Sequence, residues 1–311
     1  PLPAFLRQTR ADVHNKFIDL EWVQRERLHQ GLRPAEAGGL SPWARACGDE
    51  VMRRNRYSNV DPYLQNRVRL RVPEGCNDYI NASPIRLVQS DGEGVDFIAT
   101  QGPKENVLAH MWRMVWHETA NPAVIVMLTQ THESGREKCF PYFPEGLGNP
   151  CIAINDEFGD GFAAQLTLKS IEEDPLTRST VRELELRTKD GLTKRVWHLL
   201  FAGWPDFLVP EGEDRTALLR LVRLSEEKNA VRSSPRIVHC SAGVGRSGTF
   251  IALDWLMREL DLGMLDSIPA TRDPVIEVVE RMRQQRMMMV QAAEQFWFLY
   301  DVLRTLWVER W

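Results

Sequence analysis

Residues 236–250, Arg236-Ile-Val-His-Cys240-Ser-Ala-Gly-Val-Gly-Arg246-Ser-Gly-Thr249-Phe250, constrain this chain more than any other stretch. The apolar run up to Cys240 reads as a buried strand, Gly243, Gly245 and Gly248 break it, and a helix resumes from about residue 248. A strand that turns through a glycine loop into a helix points successive N–H groups inward. The start of the helix adds partial positive charge, so the loop is a nest for an anion. Donors so placed stabilise the thiolate of a cysteine held among them, which makes Cys240 a candidate nucleophile. Arg246, six residues on, carries a planar fork that can hold two phosphoryl oxygens, where a lysine offers a point charge. Gly243-Val-Gly-Arg-Ser-Gly248 also matches the glycine fingerprint of dinucleotide sites. Such a site needs a second parallel strand ending in an acidic residue, and here helices follow instead. No Lys-Ser/Thr pair closes the loop, which excludes a nucleoside-triphosphate loop. The ordinary fate of a lone cysteine is a buried small hydrophobe; the arginine and three glycines around Cys240 argue against it.

The rest of the chain must build a core for that loop, and 311 residues with 43% hydrophobic content can do so. A net charge of −4 gives no global basic field for nucleic acid or an anionic membrane, so neither is expected as a partner and any anion is bound locally. The longest stretch without Asp, Glu, Lys or Arg is Thr119–His132, 14 residues, short of the ~20 that span a bilayer. Five cysteines (Cys47, Cys76, Cys139, Cys151, Cys240) without any CxxC match neither a disulfide framework nor a zinc site, and fit a reducing compartment. The remaining histidines show no metal-ligand spacing, so no metal or cofactor is expected. The chain opens at Pro1 without a leader pattern, as a segment of something longer would.

Along the chain, Val13, Phe17, Leu20, Val23 and Leu28 predict an N-terminal helix over residues 11–30, broken by Gly31, Pro34 and Gly38-Gly39. Runs at Val68–Val72, Tyr79–Ala82 and Phe97–Thr100 read as strands, 107–119 as a helix, and Ala123–Leu128 as a buried strand. Ala164–Leu168, Val181–Leu186 and Val196–Phe201 read as hairpin strands, with turns at 172–174 and Asp190-Gly191. Helices over Thr216–Lys228, 248–262, 273–285 and 292–309 surround the strand Arg236–Cys240. The expectation is one α/β domain, a central twisted mixed sheet flanked by helices, with residues 1–45 as a helical segment packed onto it.

His-Cys-x-x-Gly-x-x-Arg in this form resembles the signature of the cysteine-dependent protein tyrosine phosphatases. Asn55-Arg-Tyr57 with Pro62-Tyr63, Asp78-Tyr-Ile-Asn-Ala-Ser83, Phe97-Ile-Ala-Thr-Gln-Gly-Pro103, Trp112-Arg-Met-Val-Trp116, Trp204-Pro-Asp206 and Gln291-Ala-Ala-Glu-Gln295 follow in that family's order, over about residues 50–305. The resemblance implies the fold of a non-receptor tyrosine-specific catalytic domain. It implies hydrolysis of protein phosphotyrosine through a phosphocysteine on Cys240, with Arg246 and the loop residues Ser241, Ala242, Gly243, Val244 and Gly245 binding the phosphoryl group. Asp206, on a mobile loop anchored by Trp204, is implied as general acid and then base, since a phenolate leaves poorly unless protonated. Gln291, with Gln295 nearby, is implied to orient the hydrolytic water, and Ser247 to help the thiolate leave. Tyr57 is implied as the wall of a deep cleft that excludes the shorter phosphoserine and phosphothreonine, and Asn59 as a peptide-gripping position. Glu133 is implied as the partner of Arg246, with Lys138 on the same loop, and His239 as a support of the nucleophile loop.

Three positions depart from the pattern. Asn59 replaces the usual Asp, which predicts a weaker grip on peptide. Phe143 stands where Trp is usual in Tyr142-Phe143-Pro144. Leu208 follows Trp204-Pro-Asp-Phe207 where Gly is usual, which predicts that loop flexibility moves to Gly203. Each residue also has a plain structural reading: Asp206 as a turn residue, Ser247 as a helix cap, Tyr57 as core, Glu133 and Lys138 as solvated charges. A binding module that captures phosphotyrosine without turnover is the rival class, opposed by the joint presence of Cys240, Arg246, Asp206 and Gln291. A dual-specificity or lipid phosphatase shares the loop and is opposed by Asn55-Arg-Tyr57. The resemblance further implies a monomer in cytoplasm or nucleus, acting in signal transduction, with MAP kinases as a family-level substrate expectation.

Overall fold

The computed structural model describes residues 1–33 and 38–311, so the expected break at Pro34 lies outside the described residues. Thr9 caps the first helix, α1 (Arg10–Gln30): its hydroxyl accepts from the Asp12 N–H, and the Asp12 carboxylate accepts from the Thr9 N–H. Val13, Phe17 and Leu20 of α1 are buried as the periodicity predicts, but Val23 is exposed and Leu28 only half-buried. Gln24 and Arg27 take the buried positions, because Gln24 accepts a hydrogen bond from the Met288 N–H and Arg27 pairs with Glu280 and stacks on Trp43. Polar partners, not apolar periodicity, decide that face.

The order continues α2 (Asp49–Arg54), β1 (Ala82–Val88), β2 (Gly94–Thr100), α3 (Leu108–Glu118), β3 (Ala123–Met127), β4 (His132–Glu133), β5 (Arg136–Glu137), β6 (Cys151–Ile154), β7 (Ala164–Asp174), β8 (Ser179–Thr188) and β9 (Thr193–Phe201). It closes with α4 (Glu213–Lys228), β10 (Arg236–His239), α5 (Gly245–Asp261), α6 (Pro274–Arg283) and α7 (Ala293–Arg310). Eight strands form one mixed sheet in the order β1-β2-β10-β3-β9-β8-β7-β6. The four central strands β2, β10, β3 and β9 are parallel and the flanking pairs antiparallel. β4 and β5 make a separate small hairpin.

Both faces of the sheet are covered, which is why the central strands read as unbroken apolar runs. Val124 and Val126 of β3 face one core with α1, α4, α5, α6 and α7, while Ala123, Ile125 and Met127 face a second core with α3. β10 divides the same way, Val238 with the first core and Ile237 with the second. The C-terminal ends of parallel strands are where an open α/β sheet leaves a crevice, and β10, inserted between β2 and β3, ends there on Cys240.

Three expected boundaries move. Val68–Val72 and Tyr79–Asn81 form no strand and meet through the bridge Arg69–Tyr79 and the bond from the Val68 N–H to the Ala82 carbonyl; the strand is instead Ala82–Val88, running through Pro84. It lies at the sheet edge, where a missing N–H is tolerated. The expected turn at 172–174 is still strand. A bulge between Leu168 and Ser170 carries β7 on to Asp174, whose carboxylate then accepts from the Leu176 N–H and the Thr177 hydroxyl to make the turn. Finally, α5 begins at Gly245, so Arg246 and Ser247 sit in its first turn.

Candidate active site

Cys240 is buried at the end of β10, with its Sγ accepting from the Gly243 N–H at 3.2 Å and the Ser247 hydroxyl at 3.3 Å. The loop passes so near β2 that a Cβ on Gly243, where φ is +79°, would lie 2.2 Å from the Thr100 carbonyl oxygen; only glycine fits. Gly248 is equally committed, with a Cβ 2.4 Å from the Val290 nitrogen. Ser241 donates to the Lys138 carbonyl at 2.8 Å and so receives the Tyr57 O–H at 2.7 Å, which ties the wall of the pocket to its floor. Val244 is fully buried and its carbonyl accepts from Gly248 and Val290 N–H groups; it holds the loop and does not line the pocket.

Arg246 is buried, with Nη1 donating to Glu133 Oε1 at 2.7 Å and to the Trp204 carbonyl at 2.9 Å. Its Nη2 stands 3.5 Å from Asp206 Oδ1, and neither Nη2 nor Nε has a hydrogen-bond partner. The Nη1 contacts fix the fork while the N–H donors of Nε and Nη2 stay free for an anion. Burial opposes the charge, but the negative charges of Cys240, Asp206 and Glu133 more than offset it, so the guanidinium holds its proton more firmly than an ordinary arginine.

Asp206 Oδ2 pairs with Lys138 Nζ at 3.1 Å. Trp204 is buried against Phe298 and donates its indole N–H to the Leu208 carbonyl at 2.9 Å, clasping the 204–208 loop from inside. The positive φ of this loop falls on Phe207, at +61°, not on position 208. Leu208 is 53% exposed, and its N–H bonds the Pro205 carbonyl. The left-handed residue of this loop is therefore Phe207, and Leu208 keeps an ordinary negative φ.

Tyr57, Asn59, Lys138, Asp206, Cys240, Ser241, Ala242, Gly245 and Gln291 together line a cavity of about 180 Å³, with Val60 and Phe207. Gln295 lies behind it; its Oε1 accepts from the Gln291 and Ala292 N–H groups and so caps the start of α7. A buried chain of hydrogen bonds runs under Cys240. His239 Nδ1 meets the Cys240 carbonyl at 3.1 Å, which can only accept, so His239 Nε2 accepts the Tyr142 O–H at 2.7 Å. The Tyr142 oxygen then receives His198 Nε2–H at 3.0 Å. Burial pushes His239 down to about 4, against its bond to Cys240, and burial with nearby Arg182 and His239 holds His198 well below its ordinary value. Phe143, the residue in place of Trp, packs on His198 at 4.2 Å between ring centroids.

Arg286 was not singled out from the sequence. It is fully buried, donating from Nε to the Gly243 carbonyl at 2.9 Å and from Nη2 to the Ala242 carbonyl at 3.1 Å and Asn81 Oδ1 at 2.9 Å. These bonds engage the Gly243 and Ala242 carbonyls from the side of Arg286, which is what a nest needs if its N–H groups are to serve an anion. Burial lowers it to about 10, with Tyr79, Cys240 and Asp61 acting the other way, so it remains a cation at neutral pH. Its one sequence signal is an arginine at the head of the apolar run Met287–Val290 before Gln291. Among the described residues no group of three His, Cys, Asp or Glu could hold a metal ion, and no helix is long and apolar enough to cross a membrane.

The family model described as protein-tyrosine phosphatase matches residues 51–305. Tyrosine-protein phosphatase 2 of Schizosaccharomyces pombe is 35% identical over 298 residues, which cover 94% of this chain and 40% of that protein. Tyrosine-protein phosphatase 1 of Saccharomyces cerevisiae is 34% identical over 333 aligned positions, covering 98% of this chain and 97% of that protein. The crystal structure of the catalytic domain of human protein tyrosine phosphatase non-receptor type 18 superimposes with a TM-score of 0.74 at 30% identity, over 95% of this chain and 96% of that one. PTPN18 in complex with HER2 phosphopeptides superimposes with a TM-score of 0.76 at 30% identity, over 95% and 92% of the two chains. The mixed sheet, its helical covers and these matches over nearly the whole chain lead to one conclusion: the chain belongs to the protein-tyrosine phosphatase family of enzymes, as a catalytic domain of the non-receptor type.

Proposed function

We propose that this chain hydrolyses phosphotyrosine in proteins through a phosphocysteine on Cys240. The observation that carries the reading is the convergence on one sulfur: two donors reach Cys240 Sγ, and the Arg246 fork beside it keeps Nε and Nη2 free. In the first step the thiolate attacks phosphorus, the ester P–O bond breaks, and Asp206 gives its proton to the departing phenol oxygen. In the second, water oriented by Gln291 attacks phosphorus and loses a proton to Asp206. The S–P bond then breaks and the Ser247 hydroxyl steadies the returning thiolate. Arg246 and the loop N–H groups of 241–245 hold the equatorial oxygens, where charge gathers in the transition state. Tyr57 forms the cleft wall and Asn59 the peptide contact at its rim.

The same reading takes the whole chain as one catalytic domain, with residues 1–45 packed on it through α1, which lies against α6 and α7. It makes phosphotyrosine proteins the partners, with MAP kinases as the family-level class, and a monomer acting in signal transduction in the cytoplasm or nucleus. The five free cysteines support a reducing compartment. The test is Cys240→Ser with a phosphotyrosine peptide: turnover falls below ~1% of wild type while the circular dichroism spectrum is unchanged. Residual turnover above that level removes Cys240 as nucleophile, and a wild-type chain that binds the peptide without turnover supports the non-catalytic class instead.

A further inference from the structure

Beside the pocket of Cys240, and sharing Lys138 and Asp206 with it, a larger cavity of about 710 Å³ opens along the β4–β5 hairpin. His132, Glu133, Ser134 and Arg136 line one side and Trp204 and Pro205 of the acid loop the other. The hairpin is a stiff platform, because Ser134 and Gly135 both take positive φ, 52° and 74°, in the two-residue turn that matches strand twist.

In the register of this hairpin Arg136 stands opposite Glu133, and a cross-strand pair of opposite charge would ordinarily neutralise itself. Here it does not. Glu133 is held by Arg246 at 2.7 Å and by the Thr129 hydroxyl at 3.0 Å. Glu137 is held by Arg56 at 3.1 Å and Asp206 by Lys138 at 3.1 Å. Each neighbouring carboxylate already has a cation, and among the described residues Arg136 forms no ion pair. It is exposed on the cavity wall, with His132 on the same hairpin. At the rim of the catalytic pocket beyond Tyr57, by contrast, Ser58 and Asn59 carry no charge.

We propose that this cavity is a subsite for a second anionic group on the substrate, a carboxylate or a phosphoryl group within a few residues of the phosphotyrosine, with Arg136 as the residue that reads it. This rests on the reading of Cys240 as nucleophile, since the two cavities are joined through Asp206 and Lys138. A guanidinium fork accepts either group in a two-point contact. The charge is solvent-exposed, so selectivity is several-fold and falls with salt.

The experiment compares kcat/KM for four phosphotyrosine peptides, flanked by alanines, by aspartates on the N-terminal side, by aspartates on the C-terminal side, or by one phosphothreonine, with a small aryl phosphate as baseline. The expected result at low salt is a preference of about 3–10-fold for an anionic flank. Arg136→Ala brings that ratio to about one and Arg136→Glu inverts it, while the alanine peptide and the aryl phosphate stay within about twofold of wild type. A larger gain from phosphothreonine than from aspartate assigns the subsite to a phosphoryl group, and an equal gain to charge alone. Equal kcat/KM on all peptides in the wild type, or a preference that survives in Arg136→Ala, overturns the subsite and leaves the phosphatase reading standing. If neither the aryl phosphate nor any peptide is cleaved, the enzymatic reading fails, and the same ratios measured as binding to Cys240→Ser decide the subsite alone.

Discussion

At Asp206, Lys138 lies 3.1 Å from one carboxylate oxygen and Arg246 3.5 Å from the other, so the carboxylate lies between two cations. In the proposed mechanism its work lies in the transition state, so Asp206→Asn is expected to lower kcat by roughly 10²–10⁴-fold on a phenolic ester with little change in KM. The alkaline limb of the pH profile should vanish with it; a limb that survives in the variant makes another residue the acid. Beneath the nucleophile, His239 contributes differently. Its folded value of about 4 lies below the ordinary 6.5, so above pH 6.5 it is neutral folded or unfolded and its packing is fully retained. As pH falls from about 6.5 to about 4 the unfolded chain takes a proton that the folded one refuses, and stability is lost, by about 3 kcal/mol at completion. Urea melts between pH 7 and 5 should show that decline, and the His239 ring resonances should not titrate above pH 5; titration near 6.5 contradicts the assigned tautomer chain. That Cys240, Arg246, Ser247, Tyr57 and Glu133 come together was legible, because each belongs to a recognisable local spelling. Arg286 was not, since nothing near position 286 says that its guanidinium will reach carbonyls 43 residues away.

Among the elements, the acid loop decides how Asp206 arrives. The left-handed residue is Phe207, whose Cβ makes that conformation costly by ~1 kcal/mol, and the Trp204 indole bond to the Leu208 carbonyl holds it. Gly203, at the other end, lies against the Asp214 side chain: a Cβ there would lie 2.7 Å from the Asp214 carboxylate on the first turn of α4 unless that carboxylate shifts. Gly203→Ala must push Asp214 aside and couples the loop to that helix, so slower loop exchange and lower kcat are expected. Leu208→Gly should leave both within about twofold, because position 208 carries no positive φ. Relaxation dispersion with kcat measured alongside checks the pair; unchanged exchange in Gly203→Ala would place the hinge elsewhere. Apolar periodicity foretold α3, β3 and the three hairpin strands, where burial alone sets the pattern. It failed where polar partners set it, at Gln24 and Arg27 of α1, and where an edge position excused Pro84 inside β1.

Across the whole molecule, the sheet brings together segments far apart in sequence. β10 lies between β2 and β3, so Cys240 emerges beside the Thr100 end of β2, with the 131–139 segment and the acid loop over its mouth. The fold class was legible because ordered motifs stand at the turning points of the chain. The insertion of β10 between β2 and β3 was not, since register between distant strands leaves no local trace. Nor was the charge left over on Arg136, which becomes visible only when each neighbouring carboxylate is traced to its partner. The claim that all of this geometry serves is that the phosphoryl group passes through sulfur. Rapid acid quench of the first turnover of a phosphotyrosine peptide, followed by peptide mapping, should find the phosphoryl group on Cys240, equally with and without a chelator. Phosphate released with no phosphoenzyme, a phosphoryl group on any other residue, or turnover abolished by the chelator would contradict it.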